Sequence, residues 1–246
     1  MARLELRDCD VIFQDGLAGV AALTATPPVA TDTDMDIDSI VLNTQDTDLV
    51  PLGARFTVAG ETTPQIHTVT ARTPAGTSPT TNITFSPALG AGTYVDEGVV
   101  TFLPQQLDIK VGDGNITYTE HKTHEYLLDR GDLDTVREGN QVPMDVKMEC
   151  VYEHITQGTS EPVSPMDALK GTGGAAEWVS ASSDLCEPYA IDLIVLHTPP
   201  CGTSENERTT FPDFRADTKE VNFKEASISV TGKCNVTEPT VERDVE

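Results

Sequence analysis

Basic side chains are scarce. Among 246 residues there are 16 Lys and Arg against 40 Asp and Glu, a formal net charge of −24 at pH 7. A duplex-binding surface collects Lys and Arg to displace counterions from phosphates, and an anionic bilayer attracts the same residues. A chain this acidic is expected to bind neither. Aromatics are only 5 % of the residues, and no apolar run approaches the roughly 20 residues that cross a bilayer as a helix. Long helical repeats with matched i,i+4 charges are also missing, which argues against a helical bundle. The five cysteines, Cys9, Cys150, Cys186, Cys201 and Cys234, are odd in number and scattered without a Cys-x-x-Cys pair. That spacing fits a reduced cytosolic setting better than a secreted disulfide scaffold. The N-terminal stretch lacks the cationic start of a secretory leader, so no export signal is expected.

What is present is Val, Ile and Thr, with 18 Gly and 16 Pro spread along the chain, a mixture that reads as many short strands joined by turns. Residues 3–7 alternate apolar and polar, and Val11-Ile12-Phe13 leads to a turn signal at Asp15-Gly16. From 18 to 102 the texture shifts to Thr, Pro, Ala and Gly, with two basic residues, Arg55 and Arg72, against nine acidic ones. Short β-like runs recur there at 55–59, 65–71, 82–86 and 99–102. Beyond Pro104 the alternation returns at 106–111 and, after Gly112-Asp113-Gly114-Asn115, at 116–120. The clearest strand is 142–152: Val142, Met144, Val146, Met148, Cys150 and Tyr152 share one face, and Asp145, Lys147, Glu149 and Glu153 continue the other. One short helix is well punctuated, with Ser164 as N-cap, Pro165 in the first turn, Asp167 at the positive end of the dipole and Gly171 to close it. The apolar run 189–197 and the tail runs 220–223 and 226–232 complete the strands. The pattern predicts a mainly β protein: a β-sandwich core of 1–17 and 104–246 with one short α-helix, and an inserted small β module at 18–103.

Candidate chemical sites fail on spacing. His121 and His124 stand at i,i+3 with Glu125 after the second histidine, whereas a zincin helix needs histidines at i,i+4 with the Glu beside the first. Asp32, Asp34, Asp36 and Asp38 resemble the start of a calcium loop, but Ile37 and Asn43 occupy the places of the required Gly and bidentate Glu. They read instead as a solvated acidic edge that discourages strand pairing; an Asp-rich, calcium-dependent binding module is the alternative. Cys186, Cys201 and His197 lack zinc spacing. No Gly-x-Ser-x-Gly elbow, P-loop or dinucleotide fingerprint is present. No enzymatic activity, cofactor or resident metal is expected.

Several runs carry a family resemblance. Leu107-Asp108-Ile109-Lys110-Val111-Gly112-Asp113-Gly114-Asn115-Ile116-Thr117-Tyr118-Thr119-Glu120 and Arg130-Gly131-Asp132-Leu133-Asp134-Thr135-Val136-Arg137-Glu138-Gly139 resemble stretches of the tail tube (major tail) proteins of long-tailed bacteriophages. So do Cys186-Glu187-Pro188-Tyr189, Thr198-Pro199-Pro200-Cys201-Gly202, Phe211-Pro212-Asp213-Phe214-Arg215 and Ile228-Ser229-Val230-Thr231-Gly232-Lys233-Cys234-Asn235, in the same order. The resemblance covers about two thirds of the chain and leaves out the insert. It implies a β-sandwich whose copies join into rings, hexameric in the family, that stack into a hollow tube for DNA ejection. It implies as partners the chain itself, a tape measure protein, a tail terminator and distal tail or baseplate proteins, in a virion tail assembled in the host cytoplasm. The loop at 119–141 is then expected to reach the next ring.

Two groups of residues follow from this resemblance and the local patterns together. Asp145, Glu149 and Glu153, with Asp108 and Asp192, are candidates for the bore wall, where carboxylates repel a passing polyanion. Tyr126, Leu127 and Leu128 are apolar residues in a charged segment, and with Arg130, Asp132 and Arg137 they are candidates for contact between subunits or rings. The insert is expected on the outside of the tube.

Overall fold

A computed structural model describes residues 9–23, 26–42, 50–74, 81–112, 114–130, 132–155, 162–182, 184, 186–198 and 206–243. The protein is mainly β with one short α-helix. In chain order the strands are β1 (Cys9–Gln14), β2 (Gly19–Leu23), β3 (Asp34–Leu42), β4 (Arg55–Val58), β5 (His67–Pro74), β6 (Thr81–Ser86), β7 (Val99–Leu103) and β8 (Gln106–Ile109). They continue as β9 (Ile116–Thr119), β10 (His124–Asp129), β11 (Asp132–Glu138), β12 (Met144–Val151), β13 (Ile191–His197), β14 (Glu207–Asn222), β15 (Ser227–Cys234) and β16 (Thr240–Arg243). The helix α1 spans Pro165–Ala168. The chain divides into two compact units: Met1–Phe13, Asp108–Glu153 and Ala190–Glu246 form the first, Gln14–Leu107 and His154–Tyr189 the second. The strand expected at 3–7 lies outside the described residues.

In the second unit, β2 to β7 close into a barrel in the order β2-β3-β6-β5-β4-β7. The runs anticipated at 55–59, 65–71, 82–86 and 99–102 all become barrel strands. Their alternation sends Phe56, Val58, Val69, Ile83, Phe85, Val100 and Phe102 inward. Phe56 meets Phe85 edge-on at 5.4 Å and Phe102 at 5.7 Å, contacts worth about 0.5–1.5 kcal/mol each beyond area burial. The Asp-rich run is corrected by this closure. Residues 34–38 belong to β3, which pairs with β2 on one side and β6 on the other, so it is no edge. Met35 and Ile37 face the core while Asp34 and Asp36 face solvent.

The segment His154–Tyr189, grouped by the sequence pattern with 104–246, belongs to this second unit. A bidentate pair holds it: Arg72 donates to both Glu177 oxygens at 2.9 and 3.2 Å, and Glu177 also accepts from the Leu52 N–H. Asp15, fully buried, clasps the points where the chain enters and leaves the barrel. Its carboxylate accepts the N–H groups of Leu17 (3.1 Å), Gln105 (2.7 Å) and Val179 (3.2 Å). Gly16 lets the Ser180 carbonyl approach; a Cβ there would sit 2.2 Å from that oxygen. Helix α1 follows the predicted punctuation. Ser164 Oγ accepts the Asp167 N–H at 3.2 Å, and Asp167 accepts the Ser164 N–H at 3.0 Å, a capping box at the N-terminal end; past the C-terminal end Gly171 turns the chain at φ +60°.

The first unit is built on a sheet ordered β8-β1-β13-β14-β15-β12-β9, with β16 also paired to β14. The strand predicted at 142–152 is β12, with Met144, Val146, Met148 and Cys150 buried. Strand β14 is much longer than the predicted 220–223. It runs through Pro212, which has no N–H to pair, by means of a bulge: Ile191 lies opposite Phe214 and Leu193 opposite Phe211. Register shows that the sheet coils. Tyr118 is level with Val146, Gly232 and Ala216 on successive strands. On a flat sheet, three spacings of about 4.8 Å and five residues at about 3.3 Å would part Tyr118 from Phe211 by about 20 Å. Their ring centroids are 5.2 Å apart. The sheet therefore folds over its own buried face, sandwich-fashion.

Candidate functional site

The segment 119–141, expected to be a loop, contains an antiparallel hairpin of β10 and β11. Every residue of β10 is exposed. Tyr126 lies opposite Val136, and Leu128 follows on the same side by alternation. These three are 61 %, 56 % and 62 % exposed, so the hairpin carries an apolar face with no core beneath it. Leu127 lies on the other side with Glu125 and Arg137, which stand directly opposite each other in the strand register. Arg130 sits at the tip with φ +51°, and Asp132 opens β11 at the register position facing Asp129. The root is anchored: Lys122 Nζ contacts Glu238 at 3.0 Å, His121 Nε2 donates to Asp145 at 2.8 Å, and Thr123 Oγ1 donates to the Asn140 carbonyl at 2.7 Å. Val136 was absent from the sequence-derived set. Pairing outward from Asp129 and Asp132 would set Tyr126 against Thr135; the register shift between Leu127 and Leu128 brings Val136 there instead, and no sequence signal marks that shift.

The outward face of β12 is less acidic than its own sequence suggests. Asp145 pairs across to Lys233, which pairs to Arg215; Lys147 lies beside Asp145 on the same face; Glu149 pairs to Ser229 and thence to Glu220. Three cations thus interleave with three carboxylates. The hydrogen bond from His121, then the charge of Lys233, hold the Asp145 carboxyl below its ordinary range. Glu153 lies just past the strand and pairs with Lys110 Nζ at 2.9 Å. Glu149 and, on β8, Asp108 are exposed. Asp192 has a different place. It sits on β13 opposite the β14 bulge, half buried, and its carboxylate accepts the Asp213 N–H at 3.0 Å. That N–H belongs to a residue at φ +51° in the bulge. Burial pushes the Asp192 carboxyl above its ordinary range, and Asp213 adds to this. A single strand's alternation shows which residues share a face, but the charges beside them come from register with distant strands.

Among the described residues, no group of three or more His, Cys, Asp or Glu side chains is arranged to hold a metal. His121 is engaged with Asp145, while His124 and Glu125 lie along exposed β10. Asp32 accepts the Val29 N–H at 2.9 Å, and Asp36 accepts from Asn82 at 2.8 Å. His197 is buried in β13 and Cys186 is exposed; Cys201 lies outside the described residues. Burial pushes the Cys150 and Cys234 thiols up to about 12, which keeps them protonated near neutral pH.

One buried polar pair went unnoticed in the sequence. His67 and Glu61 are fully buried side chains in the barrel unit. His67 Nδ1 donates to the Pro87 carbonyl at 2.8 Å, and Nε2 lies 3.2 Å from Glu61 Oε1. Glu61 Oε1 also accepts the Gly90 N–H at 2.8 Å, and Oε2 the Gln65 N–H at 2.9 Å. The pair ties the 61–65 and 87–90 turns together under Phe56 and Phe85, each 5.3 Å from the imidazole.

These features define a mainly β protein of two units, a coiled sheet bearing an exposed hairpin and a closed six-stranded barrel. Comparison with family models, curated proteins and solved structures finds no match to the chain.

Proposed function

We propose that the chain is a structural virion protein that polymerises into stacked rings, forming the hollow tail tube of a long-tailed bacteriophage. The observation that carries this reading is the β10–β11 hairpin. A two-stranded hairpin without a third strand or a covering element is marginal in water, and this one exposes Tyr126, Leu128 and Val136 together. A surface of a second copy, burying that face, accounts for it. The sheet of the first unit offers a second means of association, since β8 and β9 are its end strands. Strand β9, Ile-Thr-Tyr-Thr, carries none of the charges or prolines that blunt an edge. Head-to-tail contacts of this kind close into rings when the rotation per copy allows it.

The charge of −24 suits a conduit. Carboxylates repel DNA over a screening length of about 8–10 Å at ordinary salt, so a polyanion passes without being gripped. Within this reading Glu149 and Asp108 supply the repulsion on the bore, since Asp145 and Glu153 have counterions and Asp192 serves the bulge. The tape measure protein, tail terminator and distal tail or baseplate proteins are the corresponding partners, and the virion tail is the location.

Negative-stain microscopy of the purified protein tests this directly, with annuli or hollow rods as the expected result. Leu127→Ser/Leu128→Ser, both exposed in the subunit, should leave a folded monomer that no longer assembles. A wild-type protein that stays monomeric at high concentration, or normal rods from the double variant, would refute the proposal.

A further inference from the structure

The barrel wall formed by β3, β2 and β7 displays an aliphatic face outward. Val20 lies opposite Val41 on one side and Thr101 on the other, and Ala22 lies opposite Val99. Val20, Val41 and Val99 are exposed, as is Val95 just before β7. Barrel closure leaves this wall no free edge for another strand to join, so any partner must dock on its side chains. The charges along β3 and in the turn before β7 are all acidic. Asp34, Asp36 and Asp38 run along β3 on one flank, and Asp38 is the cross-strand neighbour of Ala22. Asp96 and Glu97 are exposed at the end of the wall, in the turn whose Glu97 N–H bonds the Leu23 carbonyl.

No basic residue occurs in β2, β3 or β7. The basic residues of the whole second unit are Arg55, Arg72 and Lys170, against fifteen acidic ones. Arg55 binds Gln106 at 2.6 Å, Arg72 binds Glu177, and Lys170 lies just past α1, away in sequence from the three strands.

We propose that this wall docks a partner protein segment with an aliphatic centre flanked by lysine or arginine. Charge complementarity selects that occupant. A second copy of the barrel would set carboxylates against carboxylates, and an anionic membrane would do the same. The aliphatic face supplies adhesion and the acidic flanks supply orientation and encounter rate. This inference stands apart from the tube reading, since it concerns the other unit.

The test uses the full chain and a fluorescent peptide with an aliphatic centre and lysines at both ends. Controls replace its lysines by glutamate or its aliphatic residues by serine. Saturable binding is expected for the first peptide only. Val20→Ser/Val99→Ser should weaken it by about tenfold or more, as should Asp36→Asn/Asp38→Asn or a rise to high salt. The substituted side chains face outward or lie at the wall's border, and unchanged Trp178 emission and circular dichroism will confirm folding. Failure of the first peptide to saturate overturns the proposal. So does undiminished binding to the valine variant, which would leave only unspecific charge attraction. Hydrogen-exchange protection of β2 and β7 in self-assembled protein alone would assign the wall to a second copy, and would overturn it as well.

Discussion

Glu61→Gln isolates the contribution of one buried carboxylate, because the replacement keeps its shape and removes its charge. In the wild type both Glu61 oxygens accept backbone N–H groups, from Gly90 and Gln65, while His67 approaches Oε1. A glutamine has one acceptor oxygen. Whichever way its amide is turned, an NH2 faces one of those two half-buried N–H groups and leaves it without that partner. Such an orphan costs about 1–3 kcal/mol, and loss of the attraction to His67 adds to it. The variant should therefore unfold at lower urea concentration at pH 7 by an amount in that range or above. Burial pushes the Glu61 carboxyl up, but the Gly90 and Gln65 N–H groups and then His67 outweigh it, so its folded pKa lies below the ordinary 4.5. Its stabilisation is complete above about pH 4.5 and is lost as pH falls through the folded value. The gap between wild type and variant should accordingly close in acid. The chain's single tryptophan, Trp178, lies in the same unit and reports its unfolding by fluorescence. A variant within about 0.5 kcal/mol of wild type at pH 7, below the cost of an orphaned N–H, would refute the reasoning. A gap unchanged at pH 3 would refute the ionised state of Glu61.

Asp192→Asn should have the opposite pH signature. Burial raises the folded pKa of Asp192, so its favourable contribution exists below the unfolded pKa of about 3.8 and is lost as pH rises through the folded value. Asparagine keeps an oxygen for the Asp213 N–H, and thermal melts at pH 7 should show the variant equal to or more stable than wild type; a clear loss would mean the charge itself is needed. Gly16→Ala should destabilise the barrel unit by about 1–3 kcal/mol or more, because its Cβ would lie 2.2 Å from the Ser180 carbonyl; Trp178 fluorescence reads this, and a neutral result would show that the 178–181 segment moves freely. Under the proposed tube reading, Val136→Lys, at an exposed position facing Tyr126, should leave the monomer's melting unchanged while sharply slowing any rod assembly seen by light scattering. Unimpaired assembly would remove Val136 from the contact.

Much of the strand content follows from local sequence alone. The alternation of Met144, Val146, Met148 and Cys150 specifies a half-buried strand without reference to anything distant, and the barrel strands β4 to β7 announce themselves between Pro and Gly punctuation. Ser164, Pro165, Asp167 and Gly171 likewise set a helix by interactions within one turn. The apolar cluster at Tyr126 to Leu128 was visible as an anomaly in a charged segment. Tertiary structure alone decided what depended on partners far along the chain. It paired the Asp-rich strand on both sides, carried β14 through Pro212 by a bulge, and surrounded Asp145 with Lys233, Lys147 and His121. It also buried His67 against Glu61, and assigned His154–Tyr189 to the barrel through Arg72 and Asp15. The reason is range. Period and capping act over a few residues, whereas register, burial of charge and closure of a sheet are set by which distant strands meet, and no local pattern encodes that choice.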